Sequence, residues 1–411
     1  MQIGLVWDSE YPWDVRVEKI THSFINAGHE VHLICRNRTA QVRYEFAEGL
    51  HIHRLPYAGK QIDNITSFPF FGNPVWLTSI QKVVKACRIE ALIVRDIPMA
   101  LAGICIGRLR QIPCYVDMAE PYPEMLAGYQ VLQRKSVRKT ILNWAVRNPW
   151  LAQSVEHLAC KLASHVFPVS VDMQKNLIRK QVPSEKISVV HNTPLLSDFP
   201  APMYDISESD PRYDRNVQLT VAYIGDLTEA RGLPLVIEGM SRVKQLLLPI
   251  KMIIIGGGRY ESRIRQLIQD WNLSDHIHCT GWVSHREAYA RMSKADVGLI
   301  PHLQTAHNHL TVPNKIFDYM AGHLPVLSAR LESLEEILEK TGSGLVFHEY
   351  TVESFVETLL QLRDPVVRFK LGQKGRIAFR SQYHWEQDFS TMHGIVTGRD
   401  VSTTQPLSGS A

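Results

Sequence analysis

The chain lacks the cysteine pairs, long apolar runs and one-sided charge that mark disulfide scaffolds, membrane spans and nucleic-acid binders. Its six cysteines in 411 residues include no C-x-x-C pair. Most lie in apolar runs such as Val31–Cys35, which reads as buried reduced thiols and a cytosolic setting. No stretch of ~18 clean apolar residues exists; the nearest, Asn64 to Gln81, holds two prolines and several polar residues. Met1 to Trp7 has no basic segment and no cleavage site, so a signal peptide is not expected. The net charge of +4 is too small to call for nucleic acid. It is unevenly spread: the first 200 residues carry 23 basic and 17 acidic side chains, the remainder 22 and 24. The first half is therefore where an anionic partner is expected.

Several chemical signatures are also missing. There is no G-x-S-x-G elbow for a serine nucleophile and no D-x-D pair to hold a metal on a diphosphate. Ile255-Gly-Gly-Gly-Arg-Tyr-Glu261 fails as a dinucleotide fingerprint, because Glu261 stands where G-x-G-x-x-G needs its last glycine. His302, His307 and His309 cluster without a Cys or firm acid partner, so no metal is expected there.

What the chain does have is alternation. Short Val/Ile-rich runs, at 3–7, 31–35, 52–55, 91–94, 114–117, 166–169 and 187–190, are separated by amphipathic stretches of helix length. That pattern predicts a parallel sheet covered on both faces. It breaks over 200–218, which holds Pro200, Pro202, Pro211 and an acidic run, and reads as a linker. It restarts with runs at 219–224, 251–255, 276–280, 297–301, 325–328 and 345–347. The expectation is two doubly wound α/β domains, 1–199 and 219–380, facing across a cleft. Ligands of such sheets bind at the carboxyl ends of the strands. Residues 381–396 read as a last helix and 397–411 as a frayed tail.

Strand ends carry the candidate chemistry. Gly225 closes one strand and Arg231-Gly232 precedes a helix, so Arg231 is either a solvated loop residue or a fork for a phosphate. Gly256, Gly257 and Gly258 would let backbone approach an anion, or simply make a tight turn. Pro313-Asn314-Lys315 opens a helix, with Asn314 as N-cap; Lys315 and Asp318 share its face. In the first half, Asp14-Val-Arg16 and Asp117-Met-Ala-Glu120 follow strands, as capping acids or as ligand contacts. Val131 to Trp150 carries Arg134, Lys135, Arg138, Lys139 and Arg147, no acid, and Leu and Trp among them. Such a helix suits an anionic membrane surface or its own domain.

Taken in order, these pieces resemble the GT-B-fold retaining glycosyltransferases of family 4. The resemblance rests on Asp14-Val-Arg-Val with Ala27-Gly-His29, Val116-Asp-Met-Ala-Glu120, Val169-Ser and Val189-Val-His-Asn192. In the second half it rests on Gly225 with Arg231-Gly, Ile255-Gly-Gly-Gly, Gly281-Trp-Val, Ala295 to Pro301, and Pro313 to Ala321. It implies transfer of a sugar from a UDP- or GDP-linked donor to a glycan or lipid-linked acceptor, without metal or other cofactor. The donor would lie in the second domain, its base against Trp282 and Val283 and its diphosphate on Arg231 and Lys315. Asp318 would meet ribose as the second acid of E-x7-E. Asp14, Arg16, Asp117, Glu120 and Asn192 would lie on the acceptor side. The leaving diphosphate would take the acceptor's proton. The last helix would cross back to the first domain, and the protein would be cytoplasmic, with peripheral attachment to the inner membrane face. The chain departs from the family pattern at Leu310, where the first acid belongs, at Ala119, where many members have His, and at Asp226, where many have Arg. Those departures leave a weakly catalytic partner subunit, or an epimerase on the same fold, as alternatives.

Overall fold

The computed structural model describes residues 1–12, 14–57, 73–132, 148–199 and 218–398. The linker 200–218, apart from Gln218, and most of the basic segment and tail lie outside these.

The chain forms two compact α/β units. The first comprises Met1–Asn192 and the segment from Asp388 onward; the second is Thr193–Gln387. In the first, β1 (Gln2–Trp7), β2 (Glu30–Cys35), β3 (Tyr44–Ala47), β4 (Leu50–Arg54), β5 (Ala91–Arg95), β6 (Cys114–Met118) and β7 (His165–Pro168) make one sheet in the order β3-β4-β2-β1-β5-β6-β7. All neighbours are parallel except β3, which runs antiparallel to β4. The interior strands β5 and β6 are buried along their whole length, as helices on both faces require. β3 is missing from the sequence reading because it is a four-residue edge strand whose Tyr44 and Phe46 face solvent. The run at 187–190 is no strand. It follows β7 through Ser188 N to Val166 O at 3.1 Å and Val190 N to Pro168 O at 2.9 Å, and forms only a single bridge, at Ile187.

In the second unit, β8 (Leu219–Ile224), β9 (Ile250–Ile255), β10 (Ile277–Cys279), β11 (Val297–Ile300), β12 (Val326–Ala329) and β13 (Gly344–Phe347) form an all-parallel sheet in the order β10-β9-β8-β11-β12-β13. The order reverses direction between β8 and β11, so the loops after β8, β9 and β11 surround a switch point, where such sheets hold ligands. The last helix, Trp385–Thr397, packs on the first unit from Asp388 on: Asp388 Oδ1 accepts from His191 N at 2.9 Å, and Phe389 meets Phe24 edge-on.

Cys35, Cys114 and Cys160 are buried free thiols, while Cys87 is half-buried and Cys105 is exposed. No described helix is long and apolar enough to cross a membrane.

Candidate functional site

In the first unit the strand-end charges fold inward. Asp14 caps the helix Val15–Asn26 by accepting from Arg16 N at 2.9 Å and Val17 N at 3.0 Å, which satisfies two otherwise orphaned donors. The helix start thereby aims Arg16 under the sheet. Its guanidinium gives Nε to Asp117 Oδ2 at 2.9 Å, Nη1 to His191 O at 2.9 Å and Nη2 to Val190 O at 3.0 Å. Both side chains are fully buried. Arg95 reaches the same carboxylate at 3.2 Å and Asp14 at 3.3 Å. Burial alone would raise Asp117, but Arg16 and Arg95 outweigh it and hold the carboxyl below its usual range. Next to it Asp96 accepts from Ala119 N at 2.8 Å and Glu120 N at 3.2 Å. Burial pushes Asp96 up to about 7, against the pull of Arg95. Arg16 and Asp117 therefore have no free surface for a ligand. Glu120 is half-buried, and Asn192 Oδ1 is buried with no hydrogen-bond partner among the described residues.

The second unit contains the opposite arrangement. Tyr319 anchors the helix Lys315–Ala321 by donating towards Leu299 O at 3.1 Å and accepting from Ile224 N at 3.2 Å. That anchor swings Lys315 under the β8 turn, 8% exposed, with Nζ 4.2 Å from the centre of the Tyr223 ring. A side chain at Gly225 would come within 3.2 Å of Nζ. Among the described residues no carboxylate pairs with this ammonium. Burial and then the Arg231 charge push the amine far below its ordinary value, and Asp318 and Asp226 do not compensate.

Arg231 closes a short 3-10 turn, Glu229–Arg231, and its Nε is buried without a hydrogen-bond partner among the described residues. That turn is bound to the loop after β11: Leu303 N donates to Ala230 O at 3.0 Å, and Tyr350 Oη donates to Pro301 O at 2.9 Å. Gly232 is required there. Its φ is +69°, and a Cβ would fall 1.9 Å from Pro301 O. Between Pro301 and Leu303 sits His302, fully buried, with neither ring nitrogen hydrogen-bonded among the described residues. Burial, then Lys315 and Arg231, drive its pKa far down. Lys315, the buried Arg231 Nε and His302 thus converge, and among the described residues neither Arg231 Nε nor the His302 ring has a hydrogen-bond partner. Such orphaned donors are costly, and an incoming anion supplies what they lack.

Other expected parts of the site sit differently. Asn314 is at the N-cap but in helical backbone, and its side chain makes no capping bond. Ile316 N and Phe317 N are already used by Pro313 O and Asn314 O at 3.0 and 2.9 Å. The donor that this helix start offers is thus Lys315 Nζ rather than the Ile316 and Phe317 amides. Asp318 does not ion-pair with Lys315; Oδ1 accepts from Tyr289 Oη at 2.9 Å. Gly256 needs its φ of +129° because a Cβ would meet Gly225 O at 2.2 Å, so this turn packs backbone on backbone. Gly257 faces the Trp282 indole, and Gly258 the β8 loop at Leu227. Trp282 is 70% exposed beside half-buried Val283, an uncovered indole at a strand end. His302 is the residue that the sequence reading missed: it was weighed as a metal ligand with His307 and His309. It lies two residues past the end of β11, beside the switch point, a position that does not by itself tell an orphaned ring from a satisfied one.

Two family descriptions match most of the chain: Glycosyl transferase 4-like domain over residues 14–193 and Glycosyl transferases group 1 over 218–364. The chain belongs to the family 4 glycosyltransferases. Among curated relatives, the amylovoran biosynthesis glycosyltransferase AmsK of Erwinia amylovora is 27% identical over 198 residues, 48% of this chain and 47% of AmsK. The GDP-mannose-dependent alpha-(1-6)-phosphatidylinositol monomannoside mannosyltransferase of Mycobacterium tuberculosis is 23% identical over 202 residues, 48% of this chain and 52% of the relative. The match thus spans about half the length of these relatives. Among solved structures, sucrose-phosphate synthase from Thermosynechococcus elongatus superposes with a TM-score of 0.73 at 17% identity, covering 97% of this chain and 98% of its own. That likeness gives this family member the GT-B fold. Within the fold, the three departures have clear surroundings. Leu310 is buried, Ala119 N bonds Asp96, and the Asp226 carbonyl accepts from Tyr223 Oη at 2.9 Å.

Proposed function

We propose that this protein is a retaining glycosyltransferase of surface polysaccharide or glycolipid synthesis that uses a UDP- or GDP-linked sugar. The observation that carries the reading is the cluster of Lys315, Arg231 and His302 at the switch point of the second sheet, where the buried Arg231 Nε and both His302 ring nitrogens have no hydrogen-bond partner among the described residues. A nucleoside diphosphate would supply its missing counter-charge. The exposed Trp282 offers a face for the base, and Asp318, held by Tyr289, a carboxylate for ribose. As the glycosidic bond breaks, charge builds on the leaving diphosphate, where fixed cations stabilise it most in a water-poor site. The diphosphate oxygen takes the acceptor hydroxyl's proton, and the new bond forms on the face that the leaving group vacates. This scheme calls for no protein nucleophile and no metal. GDP-mannose dependence in the mycobacterial relative and polysaccharide synthesis in AmsK support the substrate classes. Asp14, Arg16 and Asp117 then act on the acceptor side by shaping the loops that carry Glu120 and Asn192.

The test is donor hydrolysis and sugar transfer with a panel of nucleotide-sugars. Lys315→Ala and Arg231→Ala should each lower turnover by about 10²–10³-fold with the circular dichroism spectrum unchanged. Wild-type turnover in both would sink the reading. Buried Leu310, at the place of the first acid, favours a second reading: a nucleotide-sugar-binding partner subunit. Tight nucleotide binding with no hydrolysis or transfer on any donor and acceptor would establish that one instead.

We also propose peripheral attachment to an anionic membrane through Val131 to Trp150. Residues 133–147 lie outside the described residues. At its end Trp150 is 79% exposed, with the Leu151 side chain beside it in the open. Sedimentation with anionic liposomes should fall for Trp150→Ala; equal sedimentation would remove the proposal.

A further inference from the structure

The outer edge of the first sheet carries an unusual set of side chains. In the register of β2 on β4, His32 lies opposite His51 and Ile34 opposite His53. Side chains alternate across a strand, so His51 and His53 share one face while Leu50 and Ile52 point to the other. His32 is buried on the histidine face, its ring centre 4.5 Å from that of His51 and 5.4 Å from that of His53.

Hydrogen bonds fix how His32 is protonated. The Gln2 amide nitrogen donates to the Glu30 carboxylate at 2.6 Å, so Gln2 Oε1 is the atom turned to His32 Nε2, at 2.8 Å. An amide oxygen only accepts, so Nε2 carries the proton and Nδ1 keeps a bare lone pair. That lone pair lies 3.1 Å from His53 Nε2. Cys87 closes the triangle: one ligand atom each from His32, His53 and Cys87 lie within 4.8 Å of one another. Cys87 caps the end of the helix Pro74–Ala86. Tetrahedral zinc, with Zn–N near 2.0–2.1 Å and Zn–S near 2.3 Å, sets its ligand atoms about 3.3–3.6 Å apart. The cluster lies within a small side-chain adjustment of that geometry.

We propose that His32 Nδ1, His53 Nε2 and Cys87 Sγ bind one zinc ion, with solvent in the fourth position. Gln2 and Glu30 form the outer support that orients His32, a carboxylate–amide–imidazole chain of the kind metal sites use. On binding, the Cys87 thiol releases its proton to solvent, and the His53 proton moves from Nε2 to Nδ1. The ion would tie the end of the helix Pro74–Ala86 to β2 and β4. A set of Glu30, His32 and His51 also has ligand atoms within 4.8 Å, but it lacks a thiolate, and the Glu30 carboxylate already holds Gln2. This inference is independent of the proposed sugar transfer.

The experiment uses the full chain, stripped with chelator and titrated with Co(II) as a spectroscopic stand-in for zinc. One cobalt per chain should bind, with a thiolate-to-cobalt charge-transfer band and the intense visible bands of tetrahedral cobalt. Cys87→Ser should abolish the charge-transfer band, His53→Ala should weaken binding, and His51→Ala should leave the spectrum unchanged. Gln2→Ala, which removes only the outer support, should weaken binding about 10–100-fold. Zinc should raise the melting temperature of the wild type but not of Cys87→Ser. Absence of the charge-transfer band in the wild type, or its persistence in Cys87→Ser, overturns the proposal.

Discussion

Arg16 and Lys315 are both buried basic side chains in the first turn of a helix, and they have opposite surroundings. Arg16 meets Asp117 and two backbone carbonyls, while Lys315 meets the face of Tyr223. A buried charge is tolerated only when its desolvation is offset. In the first unit the fold supplies the offset itself, so the cluster acts as a brace. In the second unit no carboxylate among the described residues supplies the offset, which is the arrangement that the proposed diphosphate site calls for. Partnership, rather than burial or helix position, separates the two roles.

The largest effect should come from breaking the paired side. Arg16→Met leaves Asp117 buried with Arg95 alone and should cost about 3–5 kcal/mol, read by urea unfolding. A cost near zero would mean that Arg16 is no brace. The reverse is expected of Lys315→Met, which removes a buried amine that no described carboxylate pairs. Its melting temperature without nucleotide should equal or exceed the wild type, and a clear drop would show that Lys315 has a structural partner after all.

The empty side also predicts proton traffic. With no anion bound, burial and Arg231 favour neutral Lys315, and burial favours neutral His302. An arriving diphosphate restores both charges, so nucleotide binding near neutral pH should take up protons. Calorimetry in buffers of different ionisation enthalpy measures this, and Lys315→Met should reduce the uptake; identical apparent enthalpies in all buffers would count against the cluster.

The smallest effect lies within the brace, where two neighbouring carboxyls shift in opposite directions. Asp117 is held below its usual range, so its contribution is present above the unfolded value and is lost as acid protonates it. Asp96 is raised from 3.8 to about 7, so the folded state binds its proton more tightly than the unfolded chain does. Its contribution is therefore full below about 4 and declines as pH climbs to about 7. Asp96→Asn keeps an acceptor for Ala119 N and Glu120 N and cannot ionise. The variant should gain stability on the wild type across that window and hold a constant lead above it. Parallel melting curves from pH 4 to 8 would refute the assignment.

Much of this was legible beforehand. Short apolar runs such as Leu92–Val94 and Ile253–Ile255, alternating with helix-length amphipathic stretches, read as strands of a covered parallel sheet and pointed to the fold class. Arg231 was picked out by its position after a strand, Lys315 by its place at a helix start and Trp282 by the family resemblance; the structure puts Arg231 in the loop after β8, Lys315 at the start of the helix Lys315–Ala321 and Trp282 after β10. The short edge strand β3 was not legible, because half of its side chains face water and leave no apolar run. Nor was His302, since a histidine after a strand end reads the same whether its nitrogens are satisfied or orphaned.

The sequence alone determined the alternation of strand and helix, and the glycines that its turns demand. The tertiary structure decided which buried charges have partners. That depends on which residues far apart in the chain meet: Arg16 with Asp117, Arg231 with the β11 loop, His32 with His53 and Cys87. Local spacing carries no information about such meetings, because packing creates them only when the sheets assemble.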